Sequence, residues 1–325
     1  MVSFLKCKIC NSQAIVVPRE LGYPLCKEHF IAYVEKRVVK AIRKHNMFNY
    51  NDLIGIAYSG GKDSTVLLHI LNKIEKRFPH SDIIALIVDE GIHGYRDSAL
   101  EVALYNLKKL GVKYQLITFE ELYGATLDEI VSIAAKKFQK RFSACTYCGV
   151  LRRYAIEYLA MKTGVDKIAT GHNLDDEVET FLLNIIRGDV RRLGRLSPAY
   201  PKTIHFVPRV KPLRYLSEEN IVLYAHLLDL KYHDVTCPYA QESMRNIVRK
   251  FILELQLVDP MIKFKLINKF DEISNCFRTE VEKSFNKCIF CGVYTSSNIC
   301  RKCQILKDIG LLNIHLEKLG KYLES

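Results

Sequence analysis

The chain has 325 residues, 49% hydrophobic and 26% charged, ordinary for a soluble globular protein and enough for a core of about 200 residues with small appendages. No apolar run approaches the roughly 20 residues of a membrane span, and the opening Met1-Val2-Ser3-Phe4-Leu5-Lys6-Cys7 has no signal-peptide apolar region, so the expectation is a cytoplasmic protein without membrane contact. A net charge of +12 points to a polyanionic partner, and eleven cysteines in a chain read as cytosolic argue for metal ligation over disulfides.

Taken in chain order, Cys7-x2-Cys10 and Cys26-x2-His29 form two ligand pairs around a 15-residue excursion carrying Pro18, Gly22 and Pro24, a hairpin-like loop suited to tetrahedral zinc. Residues 31–49 read as a connecting helix. Leu53-Ile54-Gly55-Ile56-Ala57-Tyr58 reads as a buried strand, and Thr65-Val66-Leu67-Leu68-His69-Ile70-Leu71 as a helix packed on it. Between them Ser59-Gly60-Gly61-Lys62-Asp63-Ser64 presents free backbone N–H groups and a helix N-terminus to an anion. Gly60 and Gly61 allow close approach to a phosphate, Lys62 adds charge, and Ser59 and Ser64 add hydroxyls. The Walker A spacing is absent. The loop resembles the PP-loop (S-G-G-x-D-S) of the ATP pyrophosphatases, which split ATP between the α and β phosphates.

Ile83–Val88 is a second buried strand, ending in Asp89-Glu90-Gly91. Residues 96–110 read as a helix with Asp97 and Ser98 at its start and Gly111 past its end, and Lys113–Phe119 as a third strand. Helices are expected at 126–141 and 150–163, around a loop holding Cys145-Thr146-Tyr147-Cys148. Lys167–Thr170 is a fourth strand, running into Gly171-His172-Asn173-Leu174-Asp175-Asp176-Glu177 and a helix to about Arg187. The alternation predicts an α/β fold, a doubly wound parallel sheet of PP-loop, Rossmann-like type, with ligands at the carboxyl ends of its strands. The Ser59–Ser64 loop, Asp89 and Gly171–Asp176 all fall at such ends, and Asp176 is expected to hold Mg²⁺ or orient the nucleotide. Three basic clusters, Lys136/Lys137/Lys140/Arg141, Arg152/Arg153 and Arg187/Arg191/Arg192/Arg195, read as a phosphate-backbone footprint.

Residues 215–231 and 243–257 look helical, and residues 260–286 lead into Cys288-x2-Cys291 and Cys300-x2-Cys303, with Gly292 after the first pair. Both four-ligand sets are closed, so each is expected to hold a structural zinc in a module too small for an adequate core. Cys145, Cys148 and Cys237, the last in Thr236-Cys237-Pro238-Tyr239, form a third group one ligand short of closure. A redox dithiol, an incomplete zinc site and an iron–sulfur cluster with one open iron all fit that spacing. Cys276 stands alone and reads as a small buried apolar residue.

Cys7/Cys10/Cys26/His29, the Ser59–Ser64 loop, Cys145-x2-Cys148-Gly149, Gly171-His172-Asn173-x-Asp175-Asp176, Cys237-Pro238-Tyr239 and Cys288/Cys291/Cys300/Cys303 span almost the whole chain. Together they resemble the tRNA 2-thiouridine synthetases of the TtuA/NcsA and cytosolic thiouridylase type. The chain then divides into an N-terminal zinc finger (1–30), a connecting helix (31–49), a PP-loop catalytic domain (50–260), and a linker with a C-terminal zinc finger (261–325). The resemblance implies ATP as co-substrate, contacted at Ala57, Ser59, Gly60, Gly61, Lys62, Asp63, Ser64, Gly171 and Asp176; Asp89 joins them as a strand-end residue. It also implies a [4Fe–4S] cluster on Cys145, Cys148 and Cys237 whose open iron carries the incoming sulfur. The implied partners are tRNA, a sulfur donor (sulfide or a ubiquitin-like thiocarboxylate carrier) and a second copy of the chain in a homodimer.

Members of that family acting on the T-loop uridine carry Lys four residues after the second cysteine; here the position is Arg152, followed by Arg153. The Gly-Val-x-Arg-Arg form looks more like the branch that thiolates the anticodon wobble uridine. Arginine does not exchange its proton near neutral pH, so Arg152 is expected to hold phosphate or carbonyl charge. The rivals are T-loop thiolation by the same chemistry, a cluster-free enzyme with a persulfide on Cys145 or Cys148 resolved by Cys237, and a non-enzymatic zinc-finger RNA-binding protein.

Overall fold

The computed structural model describes residues 5–77, 80–138, 142–194, 196, 206–240, 244–276 and 286–323. Helix α1 (Lys27–Lys44) leads into β1 (Leu53–Ala57), α2 (Lys62–Glu75), β2 (Asp82–Asp89), α3 (Arg96–Leu110) and β3 (Lys113–Thr118). There follow α4 (Phe119–Tyr123), α5 (Leu127–Phe138), α6 (Ala144–Thr163), β4 (Lys167–Ala169), α7 (Leu174–Ile186), α8 (Val190–Gly194) and β5 (Arg209–Val210). The chain ends with α9 (Glu218–Leu227), α10 (Met244–Val258), α11 (Ile262–Cys276), a hairpin of β6 (Asn286–Lys287) and β7 (Tyr294–Thr295), α12 (Arg301–Ile309) and α13 (Leu312–Leu323).

Strands β1 to β5 form a parallel sheet in the order β3-β2-β1-β4-β5, the doubly wound topology expected. Chain order reverses at β1, with β2 on one side and β4 on the other, the crevice where such sheets bind ligands. Side chains alternate across the pleat. Ile54 and Ile56 pack into a cluster with Phe30 and Val34 of α1, Leu67 and Ile70 of α2, and Tyr224 of α9. Leu53 and Ala57 face the opposite cluster, built from Ile130 of α5, Leu151 and Leu159 of α6, and Leu306 of α12. The small cysteine modules continue these two cores: Cys7 and Cys26 belong to the first, and Cys288, Cys300 and Cys303 to the second. A third cluster joins α7 to α10 and α11, with the Phe181 and Phe270 rings 4.0 Å apart.

Several sequence expectations need correction. Cys145 and Cys148 lie in α6 itself, not in a loop before it: Ser143 is extended (ψ 153°) and its carbonyl accepts from the Thr146 N–H at 2.9 Å, so the helix starts at Ala144. The stretch after residue 260 holds the 15-residue helix α11, whose apolar face closes on α7. The helix expected at 215–231 is shorter, because Ser217 is extended and its hydroxyl caps the Asn220 N–H at 3.3 Å. Strand β5, two residues long, gave no periodic signal. Cys276 is exposed on the outer side of α11, its thiol donating to the Glu272 carbonyl at 3.4 Å. Lys140, Arg141 and Arg195 of the basic clusters lie outside the described residues, as does the side chain of Arg191.

Candidate active site

The nucleotide loop leaves β1 at Ala57 and enters α2 at Lys62, with Gly61 as an extended N-cap (ψ 165°) that lacks a side-chain cap. The first N–H groups of α2 are therefore free for a ligand. Gly60 has φ +84°, and a Cβ there would lie 2.5 Å from the Ala99 carbonyl oxygen, so only glycine fits. Ser64 ties the turn together, donating to the Gly61 carbonyl at 2.9 Å and meeting the Ser59 hydroxyl at 3.1 Å. Gly171, at the end of β4, packs so close that a Cβ would sit 3.0 Å from the Ser64 nitrogen. This contact brings the Gly171–Asp176 segment onto the loop, and Asn173 Nδ2 donates to Asp63 Oδ1 at 2.8 Å.

Asp176 is structural and its side chain is only 25% exposed. Asn173 and Asp176 form a reciprocal capping box at the start of α7, and Asp176 Oδ1 also accepts from Arg245 Nη1 at 3.0 Å. Burial raises the Asp176 carboxyl above the usual range against the pull of Arg245. Burial likewise raises Asp63, opposed by Lys62 and Asn173. Lys62 pairs with Asp63 at 3.1 Å and Glu218 at 2.6 Å; burial works against its ammonium, but these two carboxylates outweigh it and raise its pKa. Asp89 ends β2, where its Oδ1 accepts from the Gly91 N–H at 2.8 Å and shapes the strand-end turn.

Cys145 and Cys148 lie one turn apart at the start of α6, and Cys237 precedes a turn closed by the Ala240 N–H on the Cys237 carbonyl at 2.9 Å. The Cys145 thiol donates to the Tyr239 carbonyl at 3.3 Å, which brings the two segments together. Burial pushes the Cys148 thiol up to about 12, and the Cys145 and Cys237 thiols add to the effect. The three do not gather within 4.8 Å of one another as the two four-ligand groups do. A single tetrahedral ion, with ligand bonds of about 2.3 Å, needs such gathering. Three protein thiols set wider apart suit a multi-iron core.

The zinc-type groups fit one ion each. In the first, Cys7 Sγ lies 3.6 Å and Cys26 Sγ 3.2 Å from His29 Nδ1, and Cys10 and Cys26 are 3.7 Å apart. In the second, Cys291 and Cys300 are 3.7 Å apart and all four thiols lie within 4.8 Å. These are the edge lengths of a tetrahedron with bonds of about 2.0–2.3 Å.

Several site residues escaped the sequence reading. Arg96, nearly buried, donates from Nη1 to the Ser59 carbonyl and from Nη2 to the Val88 carbonyl, both at 2.8 Å. Its Nε faces Glu90 Oε2 at 3.2 Å, and Glu90 Oε1 accepts from Arg152 Nη1 at 3.3 Å. Arg152 sits one helical turn after Cys148, so this trio joins the nucleotide loop to the thiol rim. His233 anchors the loop from the other side, its N–H donating to the Gly60 carbonyl at 2.9 Å four residues before Cys237. Position offered one clue, since Glu90 directly follows Asp89; Arg96, His233, Glu218 and Arg245 carried none.

Residues 32–256 match the PP-loop domain family. The tRNA 2-thiolation protein NcsA of Haloferax volcanii is 35% identical over 94% of this chain and 99% of its own. The cytoplasmic tRNA 2-thiolation protein 1 of Drosophila yakuba is 38% identical over 97% of this chain and 90% of its own. The chain belongs to the PP-loop family of tRNA 2-thiolation proteins. Its fold also superposes on U34-tRNA thiolase NcsA from Methanococcus maripaludis, solved with its [4Fe–4S] cluster, with a TM-score of 0.79 and 32% identity over 95% of this chain and 97% of that one. Among the described residues no helix is long and apolar enough to cross a membrane.

Proposed function

We propose that the protein is an ATP-dependent tRNA-uridine 2-sulfurtransferase acting at the anticodon wobble uridine. The observation that carries this reading is the Ser59–Arg96–Glu90–Arg152 connection, which sets the nucleotide loop and the three-thiol rim in one crevice. The wobble position rests on Arg152-Arg153 after Cys148, and on a structural relative described as a U34-tRNA thiolase.

The uridine C2 oxygen attacks the α-phosphate; the O–P bond forms as the bond to the β-phosphate breaks. The free N–H groups at the start of α2 and the Lys62 ammonium receive the leaving pyrophosphate. To do so Lys62 exchanges Glu218 for phosphate. Asp63 and Asp176 would hold Mg²⁺, which when bound neutralises charge on the phosphates. Cys145, Cys148 and Cys237 would hold the [4Fe–4S] cluster, which when bound supplies an open iron for sulfur. Sulfur then replaces the adenylated oxygen at C2 and AMP leaves, with Arg152 beside the thiol rim to hold the phosphate charge.

Zinc on the two four-ligand groups would fix the small modules to the two cores. The sulfur source is sulfide or a ubiquitin-like thiocarboxylate carrier. A homodimer is part of the reading, and the exposed Ile247, Phe251 and Val258 on one face of α10 offer apolar surface for it. A cytoplasmic location agrees with the relatives of that name.

The test combines anaerobically purified protein with unmodified tRNA, ATP, Mg²⁺ and sulfide. AMP and wobble 2-thiouridine should form together, read by mass spectrometry. Iron-loaded protein that makes neither overturns the reading. Full activity without an iron–sulfur absorption band overturns the cluster assignment. In a strain lacking the gene, wobble 2-thiouridine should vanish; loss confined to the T-loop moves the site but keeps the chemistry.

A further inference from the structure

A cavity of about 270 Å³ lies between α1 and α11, away from every residue assigned above. Arg37, Lys40 and Lys44 line it from α1, at spacings that share one helix face. Tyr215 and Phe264 give it aromatic walls. Arg37 is fixed in place: Nη2 donates to the Tyr215 carbonyl at 2.8 Å, and the guanidinium lies 5.5 Å from the Phe264 ring centre. Its Nε is buried without a hydrogen-bond partner among the described residues. Lys44 donates to the Tyr215 hydroxyl at 3.0 Å, and Lys40 is exposed and pairs with no carboxylate among the described residues. Against three cations the lining offers one acid, Glu20, whose Oε1 already accepts from the Tyr33 hydroxyl and from Asn220 Nδ2.

Excess positive charge and aromatic walls suit a phosphate with its attached nucleoside. The cavity also has a fixed relation to the nucleotide loop. Tyr215 opens the short segment ending at Glu218, whose carboxylate pairs with Lys62 at 2.6 Å. Three residues reach at most about 10 Å along the backbone, so Tyr215 on the cavity and Glu218 at the loop are held close together.

We propose that this cavity binds a phosphate–nucleoside unit of the RNA substrate, a few nucleotides from the reacting uridine, and so anchors the strand. This inference rests on the thiolation reading above. The test measures tRNA affinity over a salt series for the wild type, Lys40→Ala/Lys44→Ala and Lys40→Arg/Lys44→Arg, with ATP affinity as a check on the nucleotide loop. The alanine pair should bind tRNA about tenfold more weakly and lose about 1 from the log–log salt slope, as expected for one phosphate contact. The arginine pair should recover both, and all three should bind ATP alike. Wild-type affinity and slope in the alanine pair, with wild-type thiolation intact, overturn the cavity assignment alone. A wild type that binds no tRNA overturns the thiolation reading and this inference together. Inorganic phosphate is titrated separately by calorimetry; phosphate binding lost in the alanine pair while tRNA binding persists makes this a small-anion site and overturns the RNA assignment.

Discussion

Glu90 and Arg152 are paired at 3.3 Å across the rim between the nucleotide loop and the thiols, and the same carboxylate holds Arg96 at 3.2 Å. The carboxylate is 6% exposed, so it is buried only because two guanidiniums share it. Arg96 carries the link on to the Ser59 carbonyl. A shift on either side of Glu90 thus moves a group on the other.

Glu90→Gln keeps the shape and removes the charge. Arg96 then faces a neutral amide in a buried site, at a cost of about 1–3 kcal/mol. Arg152, half-exposed and no longer drawn to Glu90, should lose its fixed place. The expected outcome is a 10- to 100-fold loss in turnover for 2-thiouridine formation, with the KM for ATP and the iron content close to wild type. Steady-state kinetics and metal analysis on one preparation check it; unchanged turnover refutes the positioning role.

Lys62→Ala should abolish AMP and pyrophosphate formation while the fold persists. The side chain faces Asp63 and Glu218 at the crevice and contributes nothing to the apolar clusters. Circular dichroism and AMP release measured together decide it. Normal AMP release would remove the PP-loop from the mechanism.

Cys237→Ala should lose iron and keep zinc, because the Cys237 thiol acts on Cys148 and belongs to neither four-ligand group. The wild type should hold about four iron atoms and about two zinc atoms per chain. Zinc lost while iron stays would mean that the thiols are grouped differently.

The sheet and the nucleotide loop were legible because their signals are local. Buried β1 and β2, the Gly-Gly turn and the ligand spacings each sit within a few residues, and strict alternation with helices fixes a parallel sheet. What escaped depends on long-range packing. Arg152 was named from the sequence, but its link through Glu90 to Arg96 forms only once β2, α3 and α6 are stacked. His233 reaches the loop from a segment without periodic pattern. Helix α11 was hidden because its charged residues, among them Lys263, Lys265 and Lys269, mask an apolar face that matters only against α7. The start of α6 was misread because a cysteine pair suggests a knuckle, whereas Ser143 and Thr146 here supply a helix start.

Asp63→Asn separates function from stability. Burial raises the Asp63 carboxyl, against Lys62 and Asn173, so its charged form costs the folded state free energy at neutral pH. The sign follows from the raised folded pKa: the folded state binds this proton more tightly than the unfolded chain. Stability from the group is therefore present below the unfolded carboxylate range and lost as pH rises through the folded pKa. The neutral asparagine should melt higher than wild type at pH 7, and the gap should close as pH falls and the wild-type carboxyl takes up its proton. AMP formation should meanwhile drop about 100-fold or more, because the carboxylate that would hold Mg²⁺ at the phosphates is gone. Thermal melts from pH 7 to pH 4 beside an AMP assay at pH 7 test both halves. A variant that melts lower at pH 7 would show that Asp63 is held charged by its neighbours, and would reverse the electrostatic assignment of the loop.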